Sequence, residues 1–201
     1  LRRINARRDE CFMLKMFTAE DIMALSPRYS AVAIALHWSI AALILLAFGL
    51  GLTVDNFPKE IKGAVINLHS LIGLAVLVLS LARLYWRITH PAPPLPQSMP
   101  PLVRLASHAG HAGLYLLMIA VPLIGVPTLL YRGRGLDFGL FQIASPFERT
   151  PDIYRPLTEL HELASFALIG LAAAHLLAAL YHHFIRNDDI LTRMLPPRRP
   201  S

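Results

Sequence analysis

Four apolar stretches dominate this chain, and each is long enough to decide what solvent it folds in. Ala31 to Thr53, Ala64 to Trp86 and Gly110 to Tyr131 read as membrane spans outright. The fourth, Leu157 to Phe184, begins more polar and runs apolar from Leu163 to Tyr181. Each supplies the about 20 mainly apolar residues needed to cross a hydrocarbon layer roughly 30 Å thick. The composition agrees: 55% hydrophobic and 16% charged residues, with a mean hydropathy of +0.49, are too apolar for an ordinary soluble domain. The fold class that follows is an all-α membrane protein, a bundle of four transmembrane helices.

Lysine and arginine placement orients the bundle, because short cytoplasmic loops are enriched in them. The stretch up to Arg28 carries six, the segment from Arg83 to Arg104 three, and the tail after Phe184 four, which puts thirteen on one side. Val54 to Lys62 and Arg132 to Glu159 together carry six, balanced by six acids. Both termini are therefore expected in the cytoplasm, with residues 1–28 as an N-terminal extension, 29–186 as the membrane domain and 187–201 as a tail. The net charge of +6 reflects this asymmetry and contact with lipid headgroups rather than nucleic acid. One cysteine, Cys11, excludes an internal disulfide framework. The first residues lack a separate apolar core and cleavage site, so no cleaved signal peptide is expected; the chain begins with Leu, and Met13 or Met16 is a candidate natural start. Ala19 to Leu25 could form a short interfacial helix. The proline-rich ITHPAPPLPQSMPPL reads as a stiff linker after the second span, and the loop after the third is expected to lie over the periplasmic mouth.

Against that frame, His37, His69, His161 and His175 stand out, because a polar side chain in hydrocarbon is costly until something satisfies it. His161 and His175 are 14 residues apart, nearly four turns and roughly 21 Å, so they share a face at opposite ends of the fourth helix. His37 matches His175 in depth, and His69 matches His161. The two pairs, His37 with His175 and His69 with His161, could each give two axial imidazoles to a haem iron held between helices. Zinc would want more converging ligands. With no CxxCH motif the haem would be b-type, bound non-covalently. Gly73, Ala172 and Ala179 beside the ligands would leave room for a macrocycle.

Other residues carry weaker signals. A lone membrane histidine is often a helix-to-helix hydrogen bonder. His108 and His111 share one face at the start of the third helix and are alternative ligands for the cytoplasmic haem. His182 is a proton-transfer or quinone-contact candidate, against a plain interfacial role for it and His183; His90 is expected to be solvated. Glu162 reads as an interfacial carboxylate or proton donor. Arg83 and Arg87 could pair with haem propionates or lipid phosphate, although positive-inside anchoring accounts for them. Pro122 and Pro127 should distort the third helix, and Trp38 and Trp86 fit an aromatic belt at the membrane boundary.

RYSAVAIALHWSIAALI, NLHSLIGLAVLVLSLARLYWRITHPAP, SHAGHAGLYLLMIAVPLIG and LHELASFALIGLAAAHLLAALYHHFIRNDDILTRMLP together resemble the bacterial cytochrome b561 family. The resemblance runs from Arg28 onward and leaves the N-terminal extension out. It implies a four-helix inner-membrane protein with two b haems, whose ligands map onto His37, His69, His161 and His175. It further implies electron exchange with the ubiquinone pool and, in some members, oxidation of superoxide at the periplasmic side. Were superoxide the donor, Arg132, Arg134, Arg149 and Arg155 of the outer loop could steer the anion inward. Two rivals are a haem-bearing anchor subunit that relays electrons from a separate periplasmic dehydrogenase or hydrogenase, and a transporter whose histidines bind protons or a metal ion.

Overall fold

A computed structural model describes residues 28–94 and 99–196. The expected interfacial helix at Ala19 to Leu25, Cys11 and the last five residues lie outside the described residues. Four long helices account for most of the rest: α1 (Ala31–Thr53), α2 (Lys59–Thr89), α3 (Pro101–Tyr131) and α4 (Pro151–Phe184). All four are long and apolar enough to cross a membrane.

Their ends follow local chemistry. Ser30 caps α1 by accepting a hydrogen bond from the Ala33 N–H at 3.3 Å. Proline opens α3 and α4 at the position where its missing N–H costs nothing. At the far end of α2, His90 precedes Pro91 and is extended (φ −129°, ψ 93°), which stops the helix. Three helices start earlier than the apolar runs suggest: α2 at Lys59 rather than Ala64, α3 at Pro101 rather than Gly110, and α4 at Pro151 rather than Leu157. The polar first turns stay helical because a helix satisfies its backbone in water as well as in lipid. Correspondingly, the linker gives up Ile88, Thr89, Pro101 and Leu102 to the flanking helices. Helix α3 runs unbroken through Pro122 and Pro127.

Packing is sequential: α1 lies on α2, α2 on α3, and α3 on α4. The central core is small, with Ile40, Met118 and Leu168 buried together at mid-height. Large apolar side chains such as Leu45, Leu116, Leu163 and Leu177 are each more than 60% exposed, an exterior suited to acyl chains and not to water. The backbones of α1 and α4 do not pack closely; ring side chains bridge them, among them Phe48 and Phe166 edge to face at 5.4 Å.

The two ends of the bundle differ. Both described termini meet at one, the terminal end. There Arg28 donates to the Thr192 and Leu195 carbonyls at 3.0 and 2.7 Å, and Trp38 Nε1 donates to the Met194 carbonyl at 2.9 Å. Arg193 reaches the Pro94 carbonyl at 2.8 Å, tying the tail to the linker as well. At the opposite, loop end, the segment after α3 contains a short antiparallel pair, β1 (Leu136–Asp137) and β2 (Gln142–Ile143), that the sequence pattern did not announce. Asn67 of α2 pins it, donating to the Asp137 carbonyl at 2.8 Å and accepting from its N–H at 2.9 Å.

Candidate haem-binding site

The four apolar histidines converge in twos. At the terminal end the ring centres of His37 on α1 and His175 on α4 are 6.3 Å apart, with the planes at 70°. Nearer the loop end, His69 on α2 and His161 on α4 are 6.0 Å apart, with the planes at 81°. A metal sits about 2 Å from an imidazole nitrogen. Adding roughly an ångström from each nitrogen to its ring centre puts the centroids of a linear His–metal–His unit about 6 Å apart. Both pairs fit two axial imidazoles on one iron. Among the described residues no three His, Cys, Asp or Glu side chains converge as a site for a bare metal ion.

The loop-end pair is held by a repeated contact. His69 Nδ1 lies 2.9 Å from the Ala47 carbonyl oxygen of α1, and His161 Nδ1 lies 3.0 Å from the Val121 carbonyl oxygen of α3. A carbonyl only accepts, so each Nδ1 carries a proton, and in the neutral ring the lone pair is then on Nε2. That is the tautomer a ligating imidazole needs, with the backbone carbonyl as the orienting partner. The pair thereby engages all four helices.

His111 adds a third ring at the terminal end, 5.2 Å from His175, with Nδ1 2.7 Å from the Ser107 carbonyl oxygen. It stands beside the His37 and His175 pair. His108, its sequence partner, is exposed and outside the cluster. Tyr115, one turn beyond His111, accepts a hydrogen bond from Arg83 Nε at 3.2 Å. Arg83, Arg87, Arg28 and Tyr115 line a cavity of about 250 Å³ at this end, and a propionate or phosphate would find three guanidinium groups there. His90 is exposed as expected, yet stacks on Trp86 with ring centres 3.8 Å apart. Trp38 and Trp86 also serve as donors, the second to Ser30 Oγ at 3.0 Å.

Beyond α4, His182 pairs with Asp188 at 2.5 Å, a partner that sequence reading missed. Asn187 takes a left-handed conformation (φ 52°), which Asn tolerates, and turns the chain so that Asp188 comes back against the ring. The signal was present as the Asn-Asp after the helix. His183 stacks edge-on with Phe184 instead. Glu162 is exposed.

At the loop end Arg132, Arg134, Arg149 and Tyr154 surround a second cavity of about 220 Å³. Arg132 donates to Thr158 Oγ1 at 3.0 Å and Arg149 to the Tyr154 hydroxyl at 3.2 Å. The Nε of Arg132 is buried with no protein partner among the described residues. Arg155, grouped with these from the sequence, is exposed and does not line the cavity. Gly51 and Gly125, which touch the loop-end histidines, were also passed over in the sequence.

Four membrane-spanning helices with paired interior histidines define a membrane cytochrome of the electron-transfer class. The family model described as prokaryotic cytochrome b561 matches residues 28–197, and the chain belongs to that family. It is 35% identical over 178 residues to a Yersinia pestis protein named probable superoxide oxidase CybB, covering 86% of this chain and 98% of that one. Cytochrome b561 homolog 2 of Escherichia coli (strain K12) is 34% identical, covering 84% of this chain and 91% of its own. A cytochrome b562 of Cereibacter sphaeroides is 32% identical over 88% of this chain and its whole length. Membership implies haem b binding, membrane electron transfer and a multi-pass location in a prokaryotic membrane.

Proposed function

We propose that this chain carries electrons across the inner membrane between two haem b groups, one ligated by His37 and His175, the other by His69 and His161, and exchanges them with the ubiquinone pool. The observation that supports it most is the pair of imidazole separations, 6.3 and 6.0 Å, at two depths of one helix. Haem b held there by two imidazoles would supply a one-electron couple. The chain's own residues do the rest. His69 and His161 present Nε2 inward because Nδ1 is committed to a backbone carbonyl, and helix α4 carries a ligand to both sites, fixing their spacing at roughly 21 Å along its axis.

The termini lie on the cytoplasmic side in this reading, so the arginine-lined loop-end cavity opens toward the periplasm. Arg132, Arg134 and Arg149 there favour a small anionic donor. Superoxide is that donor, a reading supported by the name of the Yersinia relative. At the other face His182, oriented by Asp188, is the residue for proton transfer to quinone or for quinone contact. The test is a redox-titrated visible spectrum of the purified protein with haem quantification, followed by ubiquinone reduction driven by superoxide. Two b-type steps and two haems per chain are expected; a protein that stays colourless after haem supplementation overturns the proposal.

A further inference from the structure

Two glycines stand against the loop-end histidines in the same relation. An added Cβ at Gly125 of α3 would stand 3.0 Å from His161 Cε1 and 3.2 Å from its Nδ1. At Gly51 of α1 it would stand 3.2 Å from His69 Cε1 and 3.5 Å from Nδ1. Each glycine lies four residues after the carbonyl its histidine uses: Val121 and Gly125 for His161, Ala47 and Gly51 for His69. In an α-helix the carbonyl of residue i lies next to the N–H of residue i+4, one turn on. A side chain at i+4 would overhang the approach to that carbonyl. Glycine leaves the approach open, and a rigid imidazole from a neighbouring helix enters it.

We infer that Gly51 and Gly125 are positioning residues, each opening one helix turn so that the histidine opposite can donate Nδ1–H to a backbone carbonyl and hold its Nε2 on the loop-end haem iron. The inference rests on the proposed haem ligation. The histidines that meet at the terminal end, His37 and His175, make no ring hydrogen bond among the described residues, so the device belongs to one site and not to both. A bonded Nδ1–H raises the basicity of the ligating nitrogen and favours ferric iron, one of the levers by which a protein sets a haem's potential. Carbon atoms attract best at about 3.5–4.0 Å, so the methyl of an alanine pushes the ring away by roughly a few tenths of an ångström. The hydrogen bond to Val121 or Ala47 then lengthens and weakens.

The experiment is a redox titration of the visible spectrum, with haem quantification, on Gly51→Ala, Gly125→Ala, His161→Ala and His175→Ala in the full chain. The step lost in His161→Ala should move to higher potential in both glycine variants, while the step lost in His175→Ala stays in place. Selective loss of the loop-end haem in a glycine variant, with the other step intact, supports the same inference. Gly49→Ala and Gly170→Ala, where an added Cβ meets nothing within 4 Å, should leave both steps unmoved. Unchanged potentials in the Gly51 and Gly125 variants, equal shifts of both steps, or the same shift in the two controls would each overturn it. If His161→Ala keeps both haems, the ligation proposal itself fails; if it loses one and the glycine variants do not shift that step, only this inference fails.

Discussion

Replacing His161 and His175 by alanine, one at a time, separates two sites that share a helix. The positions are 14 residues apart, roughly 21 Å along α4, well beyond the about 7–10 Å within which substitutions usually couple. His161 also donates to the Val121 carbonyl, a contact of the kind worth about 0.6 kcal/mol and at most ~1.7 inside a membrane bundle. Losing that amount does not unfold four helices of 23 to 34 residues, whose backbone hydrogen bonds are internal. Any loss of haem in His161→Ala therefore reports the missing ligand and not a collapsed bundle. Each variant should fall from two haems per chain to one, halving the Soret absorbance per protein, and each should abolish a different step in a redox titration. The double variant should hold none, as the sum of the singles. Pyridine haemochrome quantification against protein concentration, with circular dichroism to verify helix content, measures this. Retention of both haems in either variant, or loss of both in one whose helix content is unchanged, would refute two independent sites on a common helix.

Two further outcomes follow from the ends of the bundle. Arg132→Gln, or raising the ionic strength, should slow superoxide-driven quinone reduction at low superoxide by several-fold to about tenfold, because charge steering fades as salt shortens the screening length; stopped-flow rates across a salt series check it, and a flat series removes the arginine cavity from the path. Asp188→Asn should leave both haems bound and their potentials in place. Yet it should lower the quinone-linked rate by about tenfold or more, since a positioned proton donor typically contributes on the order of 10²-fold and the amide only partly orients His182. An unchanged rate would leave the His182 and Asp188 pair as a cap on the tail alone.

How much could be read in advance varies with the reach of the interaction. The bounds of α1 were legible to the residue, because the apolar run itself begins at Ala31 and ends at Thr53. The starts of α2, α3 and α4 were not, since hydropathy marks where lipid begins and a helix extends past it into water. The pairing of histidines by depth came from counting residues along helices of known rise. His111 beside His175, and Asp188 folded back on His182, depend on helix rotation and on one left-handed residue, which no count supplies.

The sequence by itself determined the solvent, the number of spans and the depth of each polar side chain, because transfer into hydrocarbon is a property of each segment taken alone. Only the tertiary structure decided which carbonyls receive His69 and His161, why Gly51 and Gly125 stand where they do, and that three arginines share one cavity at the loop end. Those facts rest on how neighbouring helices are rotated and spaced. Side-chain packing across the bundle sets that rotation, and packing is a relation between segments that no single segment contains.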